Sequence, residues 1–219
     1  MHPDTTVAPE VLLARMPARP HIIVMRSFLF LMIIGLVLGP ATLRALSPEA
    51  LIPGSYSKIP TGTEIYTHLD RTGQTVGIVT VIGHIRANPD QVYAALTNPR
   101  LTSELFPNLK KNELRKKEGD RYYFYSVLDF PWPMDDRWSL NETRYFPDIK
   151  GLSWRRTDGT VRVNEGAWRL FPSSQGTLMI YKVRFDPGLS MVPDWLLNYG
   201  MQKEAPGIIQ SLRRYFEQK

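Results

Sequence analysis

The chain has 219 residues, a formal net charge of +6, 43% apolar residues and no cysteine. This length fits one domain of ordinary size with an appendage, and the composition is globular, neither that of a disordered chain nor that of a multi-span membrane protein. The absence of cysteine excludes a disulfide scaffold, thiolate metal sites, a cysteine nucleophile and a lipid-modified cysteine.

The first 45 residues have the pattern of an export segment. Phe28–Leu38 reads FLFLMIIGLVL, arginines flank it, and small residues follow at Gly39 and Ala41. The uncharged stretch is shorter than the roughly 20 residues that a spanning helix needs. Met25 offers a second start, from which the segment would be a compact signal. We expect residues 1–45 to be a cleaved signal peptide or an N-terminal membrane anchor, and the rest to be exported to the periplasm or another extracytoplasmic compartment.

Residues 46–60 contain three prolines and no sustained period, which predicts a linker. The net charge divides into +2 before residue 46 and +4 from there on. Because the net positive charge is divided between the two parts of the chain, it gives weak support for a polyanion-binding protein.

Residues 61–219 predict one α+β domain. Along most of it, side-chain polarity follows a period of two residues, which is typical of strands. Turns containing Gly or Pro separate these predicted strands, as in an antiparallel meander. The predicted strands are Thr63–Leu69, Thr75–Arg86, Lys110–Lys117, Arg121–Phe130, Arg137–Phe146, Gly151–Arg156, Arg162–Phe171 and Thr177–Asp186.

Two short helices follow the first strands, and a longer helix ends the chain. Asn88 with Pro89 and Gln91 forms a helix-start signal, and a second short helix is predicted near residues 100–105. The terminal helix opens at Pro193 and should kink or restart at Pro206. Its last part has a strongly amphipathic face formed by Ile208, Ile209, Leu212, Tyr215 and Phe216.

A curved sheet with a long helix across it encloses either a filled core or a pocket. The sequence pattern does not decide between these two interpretations. Strand parity places four residues of the last strand toward the helix: Met179, Tyr181, Val183 and Phe185. On the strand before it, the shared face holds Asn164, Gly166, Trp168 and Leu170, with Gly166 leaving room. Along the strand from Arg121 both faces are apolar, so no inner face is assigned.

Three stretches resemble the START-like branch of the superfamily that includes steroidogenic-acute-regulatory-type lipid-transfer domains, coenzyme Q-binding proteins, polyketide cyclases and the birch-pollen allergen. They are GHIRANPDQVYAALTN at Gly83–Asn98, LDFPWPMDDRW at Leu128–Trp138 and YKVRFDPGLSMVPDWLLN at Tyr181–Asn198. The resemblance covers roughly residues 61–219. It implies a helix-grip fold: a curved antiparallel sheet of about seven to eight strands, wrapped around a long C-terminal helix, enclosing an apolar cavity for a hydrophobic molecule.

Within this fold the expected cavity-lining residues are Trp168, Leu170, Met179, Tyr181, Val183, Phe185, Ile208 and Leu212. Asp136 and Arg137 form either a structural ion pair or a contact to a ligand's polar head, since a buried charge without a partner is costly. A basic cluster, Lys110, Lys111, Arg115, Lys116 and Lys117, is either a solvated hairpin or a docking surface for anionic lipid headgroups.

No catalytic motif is present, and no nucleic-acid motif. His68 and His84 could face each other across the first hairpin, but no third ligand completes a metal site. We therefore expect no metal, no cofactor, no nucleic-acid partner and a monomer. If the domain is an enzyme, its candidate groups are Glu142, Arg144, Glu165 and Tyr181, although the parity of Glu165 argues against it.

Three functions remain open. The first is a carrier of a lipid or other hydrophobic molecule at or near a membrane of the cell envelope. The second is a cyclase or hydrolase acting on a polyketide-like or aromatic substrate in the same cavity. The third is an interaction module with a filled core.

Overall fold

The computed structural model describes residues 46–71, 73–106, 108–130 and 135–218. These residues form eight strands in one antiparallel sheet, in the order β1-β2-β8-β7-β6-β5-β4-β3. The strands are β1 (Tyr66–Asp70), β2 (Ile78–Ile85), β3 (Leu109–Glu118), β4 (Arg121–Leu128), β5 (Arg137–Phe146), β6 (Gly151–Gly159), β7 (Val163–Ser173) and β8 (Gly176–Asp186). Strands β3 to β8 are a continuous meander, and the β1–β2 hairpin extends it by pairing β2 with β8. The eight-stranded helix-grip fold is confirmed.

In the described part of the chain, four α-helices accompany the sheet: α1 (Pro89–Thr97), α2 (Thr102–Leu105), α3 (Asp194–Glu204) and α4 (Gly207–Glu217). The predicted start of α1 is confirmed, since Asn88 Oδ1 accepts from the Gln91 backbone N–H at 2.9 Å and the Gln91 side chain accepts from the Asn88 backbone N–H. The terminal helix restarts at Pro206, as predicted, because proline cannot donate the backbone hydrogen bond that would continue α3.

The main core lies between the inner face of the sheet and the helices. Ile209 and Leu212 of α4 are fully buried against inward side chains of β2, β7 and β8. The parity prediction for β8 is confirmed, because Met179, Tyr181 and Val183 all belong to this core. Burial of this apolar surface, at about 25 cal/mol per Å², is the main force that holds α4 on the sheet.

The outer face of β2, β7 and β8 is covered by residues 46–60, which we expected to be a linker. This segment forms two 3₁₀ turns, Pro48–Ala50 and Pro53–Ser55. Leu51 is fully buried in a second apolar cluster with Ile82, Ala167, Leu178 and Ile180. Strands β2 and β8 carry apolar side chains on both of their faces. Residues 46–60 bury the apolar side chains of the outer face.

The two strand histidines do not face each other. His68 on β1 is opposite Thr80, whereas His84 is opposite Leu178 on β8. His84 contacts Ser173 Oγ at 3.0 Å and the carbonyl oxygen of Pro60 at 2.8 Å. The register of the hairpin places them on different rungs, and His84 has a structural role.

The expected export segment, residues 1–45, lies outside the described residues. Among the helices that the structure describes, none is long and apolar enough to cross a membrane.

Candidate functional site: a cavity between the sheet and the terminal helices

A cavity of about 810 Å³ lies between the inner face of the sheet and helices α1 to α4. This volume is within the range of about 300–1,000 Å³ that small-molecule sites occupy. Helix α3 lines it with one face, formed by Leu196, Leu197, Gly200, Met201 and Glu204. Leu196 is also exposed to solvent, so the cavity reaches the surface beside α3.

Five of the predicted lining residues line this cavity: Trp168, Tyr181, Val183, Phe185 and Ile208. Leu170, Met179 and Leu212 are buried in the core next to it, and the cavity does not reach them. Strand parity identified the correct face for Leu170 and Met179, and helical periodicity did so for Leu212, but along a strand or helix only some inward residues meet the unfilled space. Their role in binding a ligand stays a prediction.

Asp136 and Arg137 do not line the cavity. The Asp136 carboxylate is surface-exposed and accepts from Lys110 Nζ at 2.9 Å, so its ion-pair partner is a lysine of β3 rather than Arg137. The neighbouring Pro131 and Pro133 lie outside the described residues.

The inner face of β4, which the pattern left unassigned, is the one that carries Phe124, Ser126 and Leu128. The alternate residues Tyr123 and Tyr125 face outward, where Lys116 and Arg115 lie over their rings. The two faces of β4 thus have different surroundings: one lines the cavity, and the other packs against basic side chains.

The space beside Gly166 is filled by an aromatic ring. An added Cβ at this glycine would lie 2.4 Å from two indole atoms of Trp154, which reaches across from β6. The same indole stacks on the Tyr181 ring with centroids 5.9 Å apart, and its Nε1 donates to Asn164 Oδ1 at 2.8 Å. Gly166 thus makes room for a neighbouring side chain rather than for a ligand.

One wall of the cavity is polar, a feature that sequence reasoning missed. Side chains on β3, β4, β5 and β7 form a set of hydrogen bonds that we call the amide cluster, consisting of Asn112, Ser126, Ser139, Asn141 and Asn164. Except for Ser139, these residues also line the cavity. The available signal was the alternation Ser139, Asn141, Thr143 on β5, but polar residues at that period ordinarily indicate a solvent-facing side.

Two tyrosines line the cavity as neutral groups. Burial raises the pKa of Tyr145 to about 12 and raises the pKa of Tyr181 further from its ordinary value. Phenols are protonated at neutral pH even with their ordinary pKa, and burial keeps these two protonated to still higher pH, so they supply hydroxyl groups rather than charge.

Three of the four candidate catalytic groups face away from the cavity. Glu142 alternates with the inward-facing Asn141 and Thr143, and is buried among arginines, with Arg155 at 2.9 Å and Arg144 at 3.2 Å from its carboxylate. Burial by itself disfavours the carboxylate, but these arginines outweigh it and hold the pKa of Glu142 below its usual value. Glu165 is paired with Arg184 at 2.9 Å. Of the four candidates, Tyr181 lines the cavity.

The basic cluster on β3 is locally neutralised. Lys110 lies 2.9 Å from both Asp129 and Asp136, and Glu113 accepts from Lys111 at 2.9 Å and Arg115 at 2.8 Å. Charges paired in this way project little field toward a membrane, so the structure favours a solvated hairpin over a headgroup-docking surface.

The fold and the cavity define a helix-grip domain of the START-like class. The chain belongs to the family described as polyketide cyclase / dehydrase and lipid transport, whose family model matches residues 77–217. An uncharacterised protein of Pseudomonas aeruginosa is 31% identical over 120 residues, which is 49% of this chain and 59% of that protein. The match thus spans less than two thirds of that relative's length.

Solved structures show the same fold. The STAR-related lipid transfer protein of Xanthomonas axonopodis has a TM-score of 0.58 at 21% identity, covering 74% of this chain and 97% of that one. Human STARD10 has a TM-score of 0.62 at 13% identity, covering 84% of each chain. The Zhui aromatase/cyclase of a Streptomyces species has a TM-score of 0.52 at 15% identity, covering 70% of this chain and 94% of that one. At these identities the likeness concerns the fold.

Proposed function

We propose that this domain binds and transfers a lipid or other hydrophobic small molecule in the cavity between the sheet and helices α3 and α4. The observation that carries the proposal is the cavity itself, about 810 Å³ in size and lined largely by apolar side chains. Membership of a family that includes lipid transport supports it. Transfer of apolar ligand surface out of water, at about 25 cal/mol per Å², would drive binding.

The test is lipid extraction and native mass spectrometry of the full chain purified from a bacterial host. We expect a co-purifying hydrophobic molecule of defined mass, and a higher Tm when that molecule is added back to delipidated protein, because a ligand that binds only the folded state stabilises it. A protein that carries no lipid, and that no added lipid protects from heat, would contradict the proposal. Conversion of the bound molecule to a product would instead favour the cyclase alternative.

We further propose that exchange takes place at a membrane, through an apolar surface at the mouth of the cavity. Of the six large apolar side chains that the described residues expose, four lie within the nine residues from 191 to 199: Met191, Trp195, Leu196 and Tyr199. Trp and Tyr suit the membrane interface because their rings are apolar and their tips are polar. Leu196 belongs both to this exposed surface and to the cavity lining. A ligand that leaves the cavity beside Leu196 would therefore emerge at the proposed docking surface.

The change Trp195→Glu is expected to weaken binding of the full chain to phosphatidylcholine vesicles in a sedimentation assay, and to slow transfer of the ligand between vesicles. Ile52→Glu is the matched control, since Ile52 is 51% exposed but lies in the segment that covers the outer face of the sheet. If both variants lose vesicle binding equally, or if neither loses it, the result would argue against a docking role for the α3 surface.

We also propose that the domain lies outside the cytoplasm. This location is inferred from the apolar segment Phe28–Leu38 and its flanking arginines, which have the pattern of an export signal. Cell fractionation tests this directly, and recovery of the protein in the cytosol would contradict it.

A further inference from the structure

The amide cluster ends in an unpaired acceptor. Ser126 Oγ donates to Asn112 Oδ1 at 2.9 Å, while the Asn141 amide group donates to Ser139 Oγ at 3.0 Å. Asn141 Oδ1 is buried and has no hydrogen-bond partner among the described residues. Leaving a buried carbonyl oxygen unpaired costs free energy, so this atom is a candidate for a bond that forms only when the cavity is occupied.

The neighbours of Asn141 engage its amide nitrogen rather than its oxygen. Asn164 donates to the same Ser139 hydroxyl at 3.2 Å, and Asn164 in turn accepts from the Trp154 indole. Ser139 Oγ thus accepts from two amide groups, whereas Asn141 Oδ1 receives no hydrogen bond from the described residues. The χ2 torsion of an asparagine is soft, which lets its oxygen tilt toward an occupant of the cavity.

The wall carries no formal charge. The charged residues among the described lining are Asp129 and Glu204, both solvent-exposed, and Asp129 is paired with Lys110. Tyr145 and Tyr181 are neutral at pH 7, as phenols ordinarily are, and burial raises the pKa of each further above that pH. A phosphate or carboxylate placed here would lose its hydration without gaining a cationic partner among these lining residues.

We propose that this wall is a subsite for a neutral amphiphile, whose hydroxyl or amide N–H donates to Asn141 Oδ1 while its apolar body lies along Val183, Phe185 and Ile208. The inference rests on the proposed function and narrows it. It selects ligands that end in a hydrogen-bond donor and discriminates against anionic ones.

The experiment compares three probes of equal chain length by displacement of Nile red from the full chain: 1-dodecanol, dodecyl methyl ether and dodecanoate. The alcohol can donate a hydrogen bond, the ether can only accept one, and dodecanoate carries a charge. We expect the alcohol to bind about five- to tenfold more tightly than the ether, the effect of one hydrogen bond, and dodecanoate to bind most weakly. This comparison needs no variant.

Asn141→Leu is expected to remove the difference between alcohol and ether, whereas the matched Asn108→Leu should retain it, because Asn108 is an exposed residue at the edge of the same cavity. Equal binding of alcohol and ether to the unaltered chain, or tightest binding of dodecanoate, would overturn the subsite and leave the carrier function standing. Failure of all three probes to displace Nile red would contradict both.

Discussion

Gly200→Trp is expected to abolish ligand binding without lowering the Tm. Gly200 lies in the middle of the α3 face that lines the cavity, and an added Cβ there would have no atom within 4 Å. An indole at this position therefore enters free space and occupies the route between the cavity and the surface. A glycine inside a helix is also destabilising by roughly 0.5–1 kcal/mol relative to alanine, so its replacement favours folding.

The measurement is titration of the full chain with the co-purified ligand, together with a thermal melt. We expect the affinity of the tryptophan variant to fall about a hundredfold or more, equivalent to roughly 2.7 kcal/mol. Gly200→Ala should bind normally and be slightly more stable. Gly54→Trp is the matched control, because Gly54 also has open space around it but lies in the segment that covers the outer face. Wild-type affinity in Gly200→Trp would mean that the ligand binds elsewhere.

Gly166→Ala is expected to destabilise the domain, although the change adds a single methyl group. The new Cβ would lie 2.4 Å from the Trp154 indole and 2.5 Å from the Lys182 carbonyl oxygen, distances that require the indole and the β8 backbone to move. Overpacking of this kind costs about 1–3 kcal/mol, and loss of the indole's hydrogen bond to Asn164 about 1 kcal/mol more.

We therefore expect the free energy of unfolding to fall by about 2–4 kcal/mol and the Tm by roughly 5–15 °C, measured by urea and thermal denaturation. The near-ultraviolet circular dichroism should change as Trp154 leaves Tyr181. The same substitution at Gly200 serves as the control, since it adds a methyl group in open space. A stability change below about 0.5 kcal/mol in Gly166→Ala, the range of ordinary surface substitutions, would show that the indole is not confined over this glycine.

Much of the architecture is predictable from local pattern. The alternation of β3 to β8, the Asn88 cap and the break at Pro206 each depend on a few consecutive residues, and the structure has all three. Parity alone was enough to place Tyr181, Val183 and Phe185 on the inner face, because a strand that is apolar on one side and carries Lys182 and Arg184 on the other has one reasonable orientation.

The candidate site was less predictable, because it depends on which distant elements cover each face. Asn141 and Glu142 are adjacent and both polar, yet one lines the cavity and the other is held outside by three arginines. Gly166 was correctly identified as a gap, but what fills the gap is Trp154 from the next strand. Neither outcome follows from spacing along a single strand.

The sequence by itself determined the order of strands and helices along the chain, with their caps and breaks, because these arise from hydrogen bonding and periodicity within short segments. The family resemblance came from three motif stretches, which are also local to the sequence. The tertiary structure decided where space remains unfilled and which polar groups face it. The reason is that cavity shape results from the packing of side chains contributed by six strands and four helices, and one wall of that cavity is built from polar residues that, read alone, resemble a solvent-facing surface.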